Sequence, residues 1–351
     1  MYTKKKNYSA SIQSLKGIAA IVVFLSHALG MCICEEVSQI RATFLNIFFD
    51  GQCAVVIFFC LTGYFSYREE KINAKLYFQN VAKKAVRIYP SYILVTVVAW
   101  TMANSNLEYE RSLFTDWCNS FWQEQLSLVQ LFKAVVLILP FDTDVLNPPT
   151  WYIQVDMRMA FVLPLLTCLL ASMKRFKISG IFLLSVVFAI LQLPMGLMFL
   201  PYYGGGYFLR LLCMNNIETV SSMFKGTYRW FILIMGLSLL DCYNIMAIPE
   251  SQAPGILRMI QVVGSVLIVG FFAFNSVSWI NRIFHFLGDI SYEFYLIHFV
   301  LLLSLRALEM PFALYIIIVF LLTLTLAFLM EKYISSPVRK CYKRLNDCSQ
   351  K

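Results

Sequence analysis

Charge is what this 351-residue sequence has least of: Asp, Glu, Lys and Arg together make up 14% of it, against 59% hydrophobic residues. A soluble surface carries nearer a quarter charged residues, so a free-standing globular protein is excluded. The mean hydropathy of +0.68 points to a chain whose solvent is largely lipid. Histidine is scarcer still, with three in all. The ten cysteines lack the spaced pairs of a zinc site or a small disulfide scaffold, and most read as small buried apolar residues. Cys32, Cys34, Cys118 and Cys242 could face an oxidising exterior, so a bridge among them stays open. There is no heptad repeat, no low-complexity tract and no hinge rich in Pro, Gly or Ser to announce a second domain. The opening MYTKKK and its apolar sequel resemble a signal peptide, but no small-residue cleavage site follows, and the stretch is expected to remain as the first helix.

Apolar runs are what the sequence has in abundance. Spans of about 17 to 25 residues can be drawn at Ser11 to Gly30, Ile47 to Tyr67, Ile88 to Ala103, Tyr152 to Ser172 and Ile178 to Leu193. Five more run from Leu197 to Cys213, Tyr228 to Met246, Ile256 to Phe274, Ile290 to Leu308 and Phe312 to Tyr333. The net charge of +9 comes from Lys and Arg gathered in short loops between these runs. That distribution sets membrane orientation and does not imply a nucleic-acid partner. Charge also decides the status of Leu126 to Pro140. If it spanned, the loop with Lys174, Arg175 and Lys177 would lie opposite the Lys4 to Lys6 tail and the Arg68 to Arg87 loop, so it is read as a re-entrant or interfacial helix. The expected fold is all-α: a polytopic transmembrane bundle of about ten spans plus that helix, in one domain over 1–351. Both termini are cytoplasmic, with tails at 1–10 and, basic, at 335–351. The external segment Asn104 to Pro149 carries Glu108, Glu110, Asp116, Glu124, Asp142 and Asp144, and can hold a substrate or simply be solvated.

Four groups of polar residues stand out against this apolar background. Lys16 and His27 lie eleven positions apart in SLKGIAAIVVFLSHALG, which returns within roughly 20° on a helix and rises about 16 Å. One face would thus carry a cation near the surface and an imidazole near mid-membrane. Ionisable groups at that depth are costly and read as functional, and imidazole suits proton transfer. Lys84 and Arg87, three apart in KKAVRIYP at a cytoplasmic helix entrance, share a face that would suit phosphates or merely mark the inside. Ser291, Tyr295 and His298 follow the i, i+4, i+7 rule and form a polar stripe. In PPTWYIQVD, Trp151 and Tyr152 fit an interfacial belt, whereas Asp156, one turn inside with Arg158 nearby, needs a partner or a function.

In this order the four resemble the acyltransferase-3 family of integral membrane acyltransferases, which O-acetylate bacterial surface polysaccharides. Its basic residue, ten residues, then His is met by Lys16 and His27. Its FF-x-L-S-G-Y/F appears as Phe58-Phe59-Cys60-Leu61-Thr62-Gly63-Tyr64, with Thr62 in the Ser place. R-x-x-R-I-x-P appears as Lys84 to Pro90, with Lys84 for the first Arg. W-S-L-x-x-E appears as Trp151 to Asp156, with Tyr152 for Ser and Asp156 for Glu. S-Y-x-x-Y-L-x-H is complete from Ser291 to His298, and Glu331 and Pro337 approximate the terminal signature.

The resemblance implies transfer of an acyl group, usually acetyl, from acetyl-coenzyme A to a hydroxyl of a surface polysaccharide or lipid-linked glycan. It implies a multi-pass protein of the cytoplasmic (inner) membrane. His27 would be general base or proton relay, with His298 and Asp156 as further catalytic residues. Lys16, Lys84 and Arg87 would bind the donor's phosphates, and Trp151, Tyr292 and Tyr295 the acceptor. Lys loses the two-point geometry of Arg while keeping its charge. No metal is implied. A glycan transporter, flippase or polymerase would need the same spans but no inner basic site for a nucleotide-like donor. No appended hydrolase-like domain is seen, so transfer across the membrane, where it needs an extracytoplasmic acyl-transfer protein, would use a separate one.

Overall fold

The computed structural model describes residues 2–31, 33, 35–41, 43–66, 73–105, 107–172, 196–246, 248, 255–308 and 310–348. Among these every regular element is helical, as a chain must be that satisfies its backbone polar groups without water and without closing a barrel. In chain order the α-helices are α1 Tyr2–Gly30, α2 Glu35–Arg41, α3 Gly51–Ser66, α4 Ala74–Ala103, α5 Asp116–Asn119, α6 Leu128–Val135, α7 Thr150–Ser172 and α8 Leu200–Asn215. Then come α9 Ile217–Lys225, α10 Arg229–Leu240, α11 Cys242–Ile245, α12 Gly255–Phe274, α13 Ser278–Asp289, α14 Ser291–Ser304, α15 Phe312–Met330 and α16 Ser336–Cys348.

Among the described residues four stretches are long and apolar enough to cross a membrane: Ala10–Gly30, Ala74–Ala103, Gly255–Phe274 and Phe312–Leu345. The pair α13 and α14, separated by a break at Ile290, makes a fifth if taken as one span. Helices α3 and α10 are apolar but have 16 and 12 residues, roughly 24 and 18 Å against a hydrocarbon core of about 30 Å. The expected span Ile178 to Leu193 and the loop with Lys174, Arg175 and Lys177 lie outside the described residues, as do Arg68, Cys32 and Cys34. Cys118 and Cys242 are free, buried thiols.

Two boundaries differ from the sequence reading for local reasons. Helix α4 begins at Ala74, fourteen positions before Ile88, because Asn73 caps it: its side-chain oxygen accepts from Leu76 N at 2.8 Å. Lys83, Lys84 and Arg87 therefore sit within a helix of 30 residues, not in a loop ahead of it, and Pro90 lies inside that helix. The stretch Leu126 to Pro140 is helical only over α6, opened by a capping box of Ser127 and Gln130. Its eight residues rise roughly 12 Å, too little to cross a bilayer.

The chain divides into two compact units, one of Met1–Val23, Glu36–Ile72 and Val162–Asp289, the other of Phe24–Glu35, Asn73–Phe161 and Ile290–Lys351. In the first, glycine lets backbones touch. A Cβ on Gly63 of α3 would stand 1.9 Å from Tyr203 O, and one on Gly206 of α8 would stand 1.8 Å from Cys60 O. Apolar burial gives helices in lipid no mutual attraction, so such close van der Waals approach is what associates them. Helix α1 meets α13 in the same way through Gly288, whose Cβ would fall 1.9 Å from Gln13 O.

The second unit is organised around α14, nearly all of which is buried. Phe24 of α1 packs against Phe294 and Phe320 at ring-centroid distances of 5.8 and 5.4 Å. Polar ties fix the register: Asn147 Nδ2 donates to Leu296 O at 3.1 Å, Tyr292 OH to Ile88 O and Tyr295 OH to Pro149 O, both at 2.7 Å. The hydroxyl of Ser335, in the π-helical turn Glu331–Ser335, donates to the buried Glu293 and meets Ser91 Oγ at 2.7 Å. Helices α4, α14 and the end of α15 are thereby joined.

Candidate active site

His27 stands in the last turn of α1 and His298 on the third turn of α14, and the fold brings them into contact: His27 Nδ1 lies 2.9 Å from His298 Nε2. The rings lie nearly parallel, with centroids 5.1 Å apart and planes inclined by 20°. His298 has no exposed surface, and its Nδ1 lies 2.7 Å from the carbonyl oxygen of Tyr295. A carbonyl only accepts, so His298 Nδ1 carries hydrogen. With the ring neutral, His298 Nε2 is then an acceptor and His27 Nδ1 must donate to it. The basic lone pair of the couple consequently falls on His27 Nε2.

Around His27 the walls are aromatic. Trp117 of α5 stacks on it at 6.1 Å with planes 14° apart, and Phe299 meets it edge-on at 5.0 Å. Such packing limits the imidazole to few orientations, which a proton-transferring group requires.

A second polar group lies on α4. Lys84 Nζ donates to Asp156 Oδ1 of α7 at 2.7 Å, the two side chains being 15% and 3% exposed. The residues expected to bind donor phosphate and to act in catalysis are thus partners of one another. A buried ion pair adds little net stability, while loss of one partner strands the other, so the pair reads as a device that holds charge in place. Arg87, one turn further along α4, has no hydrogen bond or ion pair among the described residues and, with Lys75 and Lys83, is a cation of this helix open to an anion.

The other expected residues are placed as follows. The hydroxyls of Tyr292 and Tyr295 donate to backbone carbonyls and tie helices together. Trp151 is half-buried at the start of α7. Lys16 belongs to the first unit, where its ammonium lies 5.5 Å from the centre of the Phe65 ring. There Arg210 of α8 also stacks on Tyr64 at 5.3 Å and donates to its hydroxyl at 3.2 Å. In the segment between α4 and α7, acidic side chains cap turns. Glu110 accepts from the Ser112 hydroxyl and N–H, which hold its carboxyl below the usual carboxylate range, and Asp142 accepts from Asp144 N.

A family model described as an acyltransferase domain matches residues 9–332. The chain belongs to the acyltransferase-3 family. It is an acyltransferase of the membrane-embedded kind. A protein of Acidianus two-tailed virus, described as "Putative acetyltransferase ORF330", is 26% identical over 310 residues, covering 84% of each chain. No solved structure matches the chain. The match takes in both units of the acyltransferase and every residue singled out above from Lys16 to Glu331. Sequence reasoning missed Trp117, whose signal was the aromatic character of the segment expected to be external, and Arg210, a lone arginine inside the run drawn from Leu197 to Cys213.

Proposed function

We propose that this acyltransferase moves an acyl group, acetyl in the first instance, from acyl-coenzyme A to a hydroxyl of a cell-surface polysaccharide or lipid-linked glycan. The carrying observation is the 2.9 Å contact of His27 Nδ1 with His298 Nε2. It leaves the lone pair of His27 Nε2 to take the acceptor's hydroxyl proton as the oxygen becomes a nucleophile. As His27 gains that proton, its Nδ1–H···Nε2 bond becomes charge-assisted and strengthens, and the Tyr295 carbonyl holds His298 in the tautomer that accepts it. The proton on His27 is then available to the departing group. Coenzyme A, when bound, supplies an activated acyl thioester.

Whether this chain suits such a donor turns on cations. Arg87 offers a planar fork with no partner of its own among the described residues, and that geometry matches phosphate. Lys84, anchored on Asp156, keeps further N–H donors for the same phosphate. In this reading Asp156 serves as counter-ion and orienter. Ten crossings, both termini on the cytoplasmic face and residence in the cytoplasmic membrane complete the proposal, since they place Arg87 and Lys84 on the side where coenzyme A is found.

The test is binding of a non-hydrolysable acyl-coenzyme A analogue to the protein in nanodiscs. Loss of a charge-assisted contact of about 1.5–3 kcal/mol corresponds to roughly 10- to 150-fold weaker binding for Arg87→Ala, with Arg87→Lys in between. His27→Ala is expected to bind the analogue normally yet to give no acylated product. Absence of binding by the wild-type protein refutes coenzyme A as donor; acylation by His27→Ala at the wild-type rate refutes the base.

A further inference from the structure

Arg306 is a buried cation that the acyl-transfer reading leaves without a task. It follows α14 in a short 3-10 turn, Leu305–Ala307, and is 4% exposed. Burying a guanidinium is costly unless it is paired, yet no carboxylate pairs with it among the described residues. It donates instead to two backbone carbonyls of one turn, Cys118 O at 3.1 Å and Phe121 O at 3.3 Å. Its flat face lies 3.9 Å from the centre of the Tyr109 ring. Its Nε has no hydrogen-bond partner among the described residues, so the bonds it does make are to the α5 turn alone.

The same turn is held from its other side. Thr115 N donates to Met31 O at 3.1 Å and Thr115 Oγ1 to Gly30 O at 2.9 Å, the carbonyls that end α1 just beyond His27. Between these two anchorages stands Trp117. It is 41% exposed, and it lies flat on His27 and edge-on to Phe121 and Phe299. The turn is only four helical residues, Asp116–Asn119, too short to hold its own shape.

We infer that Arg306 is a positioning residue for acyl transfer, fixing the α5 turn so that Trp117 stacks on His27 and holds its imidazole in the orientation that presents Nε2. The inference rests on the reading of His27 as base, but its geometric core, from Arg306 through Trp117 to His27, can be tested without any acyl transfer. A guanidinium suits the task because it reaches two carbonyls of one turn from a single rigid plane. Lysine in its place could serve one carbonyl at a time.

The experiment uses the full chain in nanodiscs with its six tryptophans replaced by 5-fluorotryptophan, and reads fluorine resonances. The Trp117 signal is identified by its loss in Trp117→Phe, and the other signals report folding. His27→Ala is expected to shift the Trp117 signal, because the ring stacked on it is gone. In an Arg306→Gln background the same His27→Ala change is expected to leave that signal in place, and in Arg306→Lys to move it by less than in wild type. A Trp117 signal indifferent to His27 in the wild type, or equally sensitive with and without Arg306, overturns the inference. Should Arg306→Gln fail to fold, Arg306→Lys and Thr115→Val carry the same comparison, and a full wild-type shift in both overturns it. In turnover, Arg306→Lys is expected to lower kcat by about tenfold or more with the KM for acetyl-coenzyme A unchanged. A raised KM at unchanged kcat contradicts positioning. An intact fluorine coupling in a protein that transfers no acyl group would fault the acyltransferase mechanism and leave the positioning geometry standing.

Discussion

The substitution that most directly tests the site is at His298, taken through Ala, Asn and Gln. With Ala, His27 Nδ1 loses its acceptor, and the imidazolium that forms during proton transfer loses a charge-assisted hydrogen bond. Such a bond contributes about 1.5–3 kcal/mol, and each 1.36 kcal/mol is tenfold in rate, so kcat should fall by roughly 10- to 150-fold. Alanine also leaves a void at a site with no exposed surface, which costs stability for a reason unrelated to proton transfer. The two amides separate these effects. Gln can bring its oxygen to where His298 Nε2 now accepts from His27, whereas Asn reaches only as far as the Nδ1 position and can keep only the bond to Tyr295 O. Both fill the space, so a stability effect treats them alike. We expect Gln to retain kcat within about tenfold of wild type and Asn to fall with Ala. The assay is coenzyme A release from acetyl-coenzyme A in membranes, normalised to correctly inserted protein. Equal rates for Asn and Gln, or wild-type kcat in Ala, would show that the contact between the two imidazoles plays no part in turnover.

The Lys84–Asp156 pair predicts a different pattern. Asp156→Ala strands a buried ammonium and should destabilise the protein by about 3–5 kcal/mol; Lys84→Met with Asp156→Leu should restore the melting temperature but not donor binding, and restored donor binding would reduce the pair to packing. Gly206→Ala puts a methyl group 1.8 Å from Cys60 O, a backbone atom that cannot swing aside, so the yield of folded protein in detergent should collapse. Folded protein at the wild-type level would mean that α3 and α8 do not cross so closely. Reporters placed at Asp116 and after Arg344 should read exterior and cytoplasm respectively, and a common location for both would overturn the proposed orientation.

How far the sequence leads is clearest at the two histidines. A lone imidazole in an apolar run has no cheap place in lipid, so His27 and His298 declare themselves one at a time, each from its own segment. Their contact spans 271 positions, and no local period encodes it. Periodicity fixes which face of a helix a residue occupies, whereas the neighbour that face receives is settled by close-packed glycines such as Gly63 and Gly206 and by polar ties such as Asn147 to Leu296. The same limit explains Lys84. Seen along the chain it is a cation beside Arg87 and looks like half of a phosphate clamp, but its carboxylate lies 72 positions on. Hydropathy misplaced the start of α4 for a related reason. Lys83, Lys84 and Arg87 look like a loop only if charge ends a helix, and in this chain the Asn73 cap starts the helix and carries those cations inside it. Arg306 and Trp117 are harder still, since an arginine near the end of an apolar run and a tryptophan in a segment expected to be external are what any membrane protein shows. Only when Arg306 is found spending its donors on the turn that bears Trp117 does either acquire a role. A motif can thus name the proposed proton acceptor of this acyltransferase, while the groups proposed to hold it in place follow from tertiary contacts alone.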